Sequence, residues 1–486
     1  MSIRARRLPE WPLLTWCARL SEGELVPELF HGACVEVRSE WAIEGGWAGS
    51  FAEGDFDETS LVFGSGVRLR DGYTDFVSPG TNVDRLWSYE HGENTVVSNS
   101  LPALLAVADV SLLDEVTDYP NRIEPWTRVG TGDVRVPADP GPIRCTYFDN
   151  IRWDGKRLRT VDKSRDAPAF TSYSIYREFL FDCAREVVSN ARSRHRSHPF
   201  SVATTVSSGY DSSAVAVAAK QAGCEKAVTI ESARSVTPRS DSGEEVAEHL
   251  GLDCDVYPRS GLGSRGEIAF WAADGDPQGA NFAVFDFEDR PCLLFTGVMG
   301  GLVWTKNISD LVLDLKSENP NVVNLSEYRL SEGLVHCPLV FGGARRAWEI
   351  FQLSNSEEME TYVVGSVYDR PIPRRMLEEA GVPRDAFGMK KSATQFSESF
   401  LWPYSHELQE SYRSYLEERG IEVPPVRFGR ALNWAESNLL FPVRARLLRY
   451  PKQARIFGDC SRLLFQWANH RIAQKLESQL GAAEFV

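Results

Sequence analysis

Ala203-Thr-Thr-Val-Ser-Ser-Gly-Tyr-Asp-Ser-Ser-Ala-Val-Ala216 joins a β-type run, Phe200 to Val206, to a small-residue helix running from about Ser212 to Ala222. Ser207, Ser208 and Gly209 make a tight turn whose small side chains let an anion reach backbone N–H groups at the helix start. Ser212 and Ser213 add hydroxyl donors in the first turn. Asp211 repels phosphate directly, so its natural partner is a bridging cation, most simply Mg²⁺. The same residues also suit an ordinary βα loop in which Asp and Ser cap the helix. Spacing alone leaves both readings open.

The rhythm around this turn is regular. Downstream come a second apolar run, Ala227 to Glu231, a helix from Ser242 to Leu250, a third run from Asp253 to Tyr257, a helix near Glu267 to Ala273, and a fourth run, Cys292 to Thr296. Strand and helix alternating at this pitch predict a parallel sheet flanked by helices, an α/β fold. From about Ser309 onward the patterns are mostly helical: Arg345 to Leu353, Arg374 to Ala380, Ser405 to Arg419 and Arg462 to Leu480. Upstream, Tyr173 to Ser193 has helical spacing, and the polar, Pro-broken Asp162 to Ala169 reads as a linker.

The chain before that linker is different. It holds seven of the 13 tryptophans and short alternating runs such as Ser60-Leu-Val-Phe, Val67-Arg-Leu-Arg and Asn94-Thr-Val-Val-Ser, with one helix-like stretch at Leu101-Pro-Ala-Leu-Leu-Ala-Val-Ala. This is a β-rich pattern. Two domains are expected, 1–165 and 170–486, within the range that 486 residues allow.

Hydrophobic content of 43% and charged content of 25% are ordinary for a folded protein. The net charge of −15 disfavours nucleic acid and anionic lipid as partners, and requires any phosphate ligand to be met by a local device. The nine cysteines are scattered with no C-x-x-C pair, which fits a reducing cytoplasm. MSIRARRLPEWPLLTW breaks its apolar run with Pro and Glu, unlike a signal peptide, and no apolar run has the ~18 to 20 residues that span a bilayer.

Ser207-Ser-Gly-Tyr-Asp-Ser-Ser resembles the S-G-G-x-D-S-S pyrophosphate loop of the PP-loop ATP pyrophosphatases, in particular the asparagine synthetase, β-lactam synthetase and lasso-peptide cyclase type, with Ser208 where Gly is usual. It is neither a Walker A nor a Rossmann pattern. Ser240-Asp-Ser-Gly-Glu-Glu-Val-Ala-Glu-His-Leu-Gly resembles the family helix after strand two, and Asp276-Pro its D-x-P element. Leu293-Leu-Phe-Thr-Gly-Val-Met-Gly-Gly resembles its strand and S-G-E-G-x-D-E loop. Val382-Pro-Arg-Asp-Ala-Phe-Gly-Met-Lys-Lys resembles the segment that supplies a lysine to the reacting phosphates. Together these span about 200 residues, in family order.

The resemblance implies ATP and Mg²⁺ as cofactors, with Ser207, Ser208, Gly209, Asp211, Ser212, Ser213, Thr296 and Gly297 at ATP or pyrophosphate and Asp211 on the metal. It implies Lys391, or its neighbour Lys390, as the catalytic lysine. A substrate carboxylate would be adenylated and then passed to an amine with loss of AMP. Two departures matter. Val298 and Gly301 stand where the family loop has acids, which leaves Asp310 and Asp314 as candidate substitutes. Thr95-Val-Val-Ser-Asn-Ser-Leu-Pro-Ala-Leu-Leu-Ala-Val-Ala resembles the end of a class II glutaminase domain, yet position 2 is Ser rather than the required Cys. The implied architecture is therefore a degenerate glutaminase-like domain followed by a PP-loop domain with a helical C-terminal part. The nucleophile would be an amine of a small-molecule or peptide substrate, or free ammonia, rather than glutamine-derived ammonia. A degenerate ATP-binding scaffold and an enzyme adenylating a base carbonyl are the alternatives. Arg427, Arg430, Arg444, Arg446, Arg449, Lys452 and Arg455 form a basic stretch that either faces the phosphate site, docks an anionic or peptide substrate, or is a solvated face. His195 and His198 read as surface residues.

Overall fold

A computed structural model describes residues 2–113, 134–163, 167–231, 241–258, 266–272, 285–287, 289–313, 325–366, 368–388, 402–421, 435, 463–482 and 484–485. The chain is a mixed α/β protein: a β-rich N-terminal region, then a parallel sheet followed by helices.

The N-terminal region stacks an eight-stranded sheet on a six-stranded one. Alternation along each strand builds two cores at once. Of Trp16–Leu20, residues Trp16, Ala18 and Leu20 meet Val67, Phe76 and Ile151 of the other sheet, whereas Cys17 points to the opposite face. Val97 and Val96 divide in the same way. That second face is covered by the helix Leu101–Ala108, which is buried all round. Burial pushes the Cys17 thiol up to about 12, so it serves as a small hydrophobe and not a nucleophile.

The parallel sheet has five strands: β1 (Ser201–Thr205), β2 (Lys226–Ile230), β3 (Asp253–Tyr257), β4 (Cys292–Thr296) and β5 (Leu334–Pro338). Its order is β3-β2-β1-β4-β5, and every pairing is parallel. The sequence reading has no β5, since it expects helices from Ser309 onward. Leu-Val-His-Cys-Pro carries no alternation because all five residues are buried, as is usual where a parallel sheet is covered on both faces.

The two regions share one continuous core, which runs from Trp11, Tyr89 and Val96 to Leu293, Phe295 and Leu334. The expected linker is anchored rather than free at its described residues: Arg345 reaches Asp162 and the Lys163 carbonyl, and Arg346 Nε donates to the Ala167 carbonyl at 2.9 Å. Burial lowers the Lys163 ammonium to about 7, and it bonds to Asn150. Arg196 is buried beside the exposed His195 and donates to the Gly45 carbonyl at 2.9 Å, which ties the segment before β1 to the N-terminal region. The C-terminal helix Leu464–Glu477 packs on Leu101–Ala108, and Glu484–Phe485 pairs with Arg6 and Arg7. The end of the chain therefore closes on its beginning.

Buried charge crosses the same boundary. Glu327 accepts from Ser100 Oγ at 2.8 Å and from the Leu101 amide at 3.2 Å, where the helix N-terminus favours an acid. Burial nevertheless raises its carboxyl from 4.5 to about 7, against the lowering effect of these bonds and of Arg329 and Arg85. The fold thus prefers the protonated form. Its stabilisation is complete below the unfolded value and is lost as pH rises from about 4.5 to about 7. Glu327→Gln should match the parent near pH 4.5 and exceed it by roughly 3 kcal/mol at pH 8. Urea unfolding across this range measures the difference, and parallel stability curves would refute it.

Candidate functional site

From β1 the chain moves outward to β2 and β3, then crosses back to β4 and β5 on the other side. The crevice beyond the carboxyl ends of β1 and β4 is therefore the switch point of the sheet, where open α/β sheets bind ligands. The turn 206–210 leaves β1 there and enters helix α1 (Asp211–Gln221). The turn after β4 lies against it through glycines. A Cβ on Gly297 would stand 2.2 Å from the Ser212 amide nitrogen, and one on Gly300 would stand 2.8 Å from Asp211 Cβ. Any side chain at either place would force the two turns apart.

The first turn is bonded inside and out. Ser207 Oγ contacts Ser212 Oγ at 2.6 Å and accepts from the Gly209 amide at 3.1 Å, while the Ser213 hydroxyl donates to the Ser207 carbonyl. Ser208 donates through Oγ to Asp241 at 2.7 Å. Asp241 is buried, which raises its carboxyl, and the Ser208 bond offsets part of that. The Ser208 hydroxyl thus satisfies a buried acid. Gly243 abuts the Ser207 amide, and the Gly388 amide donates to the Ser208 carbonyl at 2.8 Å. Gly388 has φ +67, and a Cβ there would strike the Tyr210 ring at 2.2 Å. The segment that leads to Lys390 therefore meets the turn two residues earlier; Lys390 and Lys391 themselves lie outside the described residues.

Helix α1 starts without a side-chain cap, because Tyr210 is its N-cap residue. Its first-turn amides, aligned with the helix dipole, suit an oxyanion. The structure brings Ser207, Ser208, Gly209, Asp211, Ser212, Ser213 and Gly297 together at one crevice, with Gly209 and Ser213 buried and the others partly exposed. Thr296 differs: it is buried, and its hydroxyl contacts His336 Nε2 at 2.7 Å between β4 and β5. Only its backbone is left to serve the turn. Desolvation lowers His336 to about 4 and keeps it neutral.

Several residues here escaped the sequence reading. Tyr210 packs on Tyr368 at 4.9 Å and on Phe387 at 5.9 Å, and its hydroxyl bonds to buried Arg374. The Tyr210 amide donates to the Tyr368 hydroxyl at 3.3 Å. Burial, then the Asp211 charge, raises the Tyr368 phenol. Arg370 is 7% exposed and also reaches this crevice. These residues lie about 160 positions from the turn, and only a stretch such as Asp369-Arg370-Pro371, polar before a helix, hints at them.

Asp310 is exposed and held by Asn307 and Ser309, whereas Asp314, Asp276 and the basic stretch 427–455 lie outside the described residues. Among the described residues no group of three or more His, Cys, Asp or Glu could hold a metal alone. Asp211 would be a carboxylate ligand for a divalent ion at this turn, and Mg²⁺ characteristically keeps phosphate and water in its shell. The close-packed glycine turns, uncapped helix start and buried arginine fit a polyphosphate with such an ion. No protein-family model matches the chain, and no curated protein matches it.

Proposed function

We propose that the protein is an ATP-dependent, AMP-forming ligase of the asparagine synthetase-like PP-loop class, in which a degenerate glutaminase-like domain precedes the synthetase domain. The observation that carries this reading is the Ser207–Ser213 turn at the switch point of the β3-β2-β1-β4-β5 sheet, closed by Gly297 and Gly300. In this reading a substrate carboxylate attacks the α-phosphorus of ATP and pyrophosphate departs. An amine on a small molecule or peptide then attacks the acyl carbon, AMP departs, and the amine loses a proton. Mg²⁺ would neutralise phosphate charge, with Asp211 as its protein carboxylate. The turn and the α1 amides hold the phosphates, the Ser207–Ser212 hydroxyl pair fixes the shape of the turn, and Lys391 or Lys390 supplies positive charge to the departing pyrophosphate.

A scaffold that binds ATP without turning it over is the second reading, favoured by Val298 and Gly301 in the acidic positions of the family loop. Calorimetric titration with Mg·ATP, paired with AMP release over a panel of carboxylates and amines, separates the two. The ligase reading expects AMP, reduced about 100- to 1,000-fold in Asp211→Ala at unchanged melting temperature. Binding without AMP over the panel favours the scaffold. Absence of nucleotide binding defeats both.

A further inference from the structure

The buried arginines of the described residues are, with one exception, provided with partners. Arg329 has Glu44 and Asp84, Arg196 has carbonyls and Asn190, Arg374 has Tyr210 and Glu378, and Arg68 has Glu40. Arg85 stacks over Trp87 and Tyr147. Arg370 is 7% exposed, yet among the described residues it makes no ion pair, and its Nε has no hydrogen-bond partner. A largely buried guanidinium that forms no ion pair and leaves its Nε unbonded is costly to keep, so its retention calls for a ligand or a compensating use.

Its position supplies one. Arg370 stands immediately before the helix Pro371–Glu379 and reaches back towards the crevice. Its Nη2 is 3.6 Å from the point a Cβ on Gly301 would occupy, and Asp211 Oδ2 is 3.6 Å from the same point. Gly301 thus keeps open a small space flanked by a carboxylate and a guanidinium. The start of α1 and the hydroxyl of Tyr368 border the same turn. A planar guanidinium fork matches two oxygens of one phosphate, and it is a fixed cation at any physiological pH.

We infer that Arg370 is a pyrophosphate-binding residue: it grips the phosphoryl groups beyond the α-phosphate of a nucleoside triphosphate, and the free pyrophosphate that leaves. This rests on the ligase reading and extends it. Where Val298 and Gly301 give the second turn no acid to hold a metal, Arg370 brings the positive charge on the protein itself. Asp211 would hold the metal, and Arg370 would contact the phosphates directly.

Titrations of inorganic pyrophosphate, ATP and AMP into the full chain, with Mg²⁺ and with EDTA, test this. Arg370→Gln should weaken pyrophosphate and ATP binding about 30-fold or more and leave AMP unchanged; Arg370→Lys should recover part of the loss. In EDTA the parent should retain measurable pyrophosphate binding that Arg370→Gln lacks. Asp211→Asn should strengthen that metal-free binding, because it removes a like charge, while abolishing the gain from Mg²⁺. Arg370→Met should raise the melting temperature of the ligand-free protein by about 2 °C or more, the reverse of what a structural arginine would give. Equal pyrophosphate affinity in parent and Arg370→Gln overturns the inference alone. Equal weakening of AMP overturns the assignment beyond the α-phosphate. A parent that binds neither pyrophosphate nor ATP overturns the ligase reading and this inference together.

Discussion

Arg329→Met is expected to cost about 3–5 kcal/mol and to make the remaining stability fall steeply with rising pH. Arg329 donates to both Glu44 oxygens at 3.0 Å and to Asp84 at 2.7 Å, and the side chains of all three are almost wholly buried. Glu44 also receives the Ser65 amide and hydroxyl. Burial holds its carboxyl above 4.5 even with Arg329 beside it, so loss of the cation removes what lowers the Glu44 carboxyl and favours its protonated form further. Its folded pKa then exceeds the unfolded one by more, so stability drops as pH climbs past the unfolded carboxylate range. Urea unfolding at pH 5 and pH 8 should show the larger loss at pH 8. The triple variant Arg329→Met with Glu44→Gln and Asp84→Asn should recover much of it, because apolar and neutral groups no longer confront buried charge. A loss below about 1 kcal/mol at both pH values would remove this triad from the account of stability. Because Glu44 and Asp84 belong to the N-terminal region and Arg329 to the helix before β5, parent unfolding should also be one transition.

Gly297→Ala is expected to lower nucleotide affinity about 100-fold or more and to cost roughly 2–3 kcal/mol. Its methyl would fall 2.2 Å from the Ser212 nitrogen and 2.3 Å from the Asp211 carbonyl carbon, both backbone atoms at the start of α1 that cannot swing aside. The turns after β1 and β4 must separate. Gly301→Ala is the control: its nearest neighbours, Arg370 Nη2 and Asp211 Oδ2, are both at 3.6 Å, an ordinary contact. That variant should melt with the parent and lose only part of its pyrophosphate affinity. Calorimetry and thermal unfolding of the two variants together decide the matter. Equal behaviour would mean that the turns do not meet as described.

Much of the fold could be read locally. The turn at Ser207, the helix it opens, four of the five parallel strands and the capped helix after Ser100 follow from periodicity, small residues and turn chemistry. Such signals lie within a few residues of one another, because they reflect the backbone angles and side-chain faces of single elements. The fifth strand was missed for the complementary reason: an element buried on both faces has no alternation to betray it, and its neighbour β4 begins 42 positions earlier.

The crevice divides along the same line. The sequence by itself determined that this turn opens a helix and which acid stands at its start, since Ser-Ser-Gly-Tyr-Asp-Ser-Ser shapes its own backbone. Only the tertiary structure decided that Ser208 answers a buried acid at Asp241, that the Thr296 hydroxyl is committed to His336, and that Arg370 comes near Asp211 while forming no ion pair among the described residues. Each of these turns on whether a polar group lost water and what it met instead. That depends on chain segments up to about 160 residues apart folding against one another, and no local pattern encodes it.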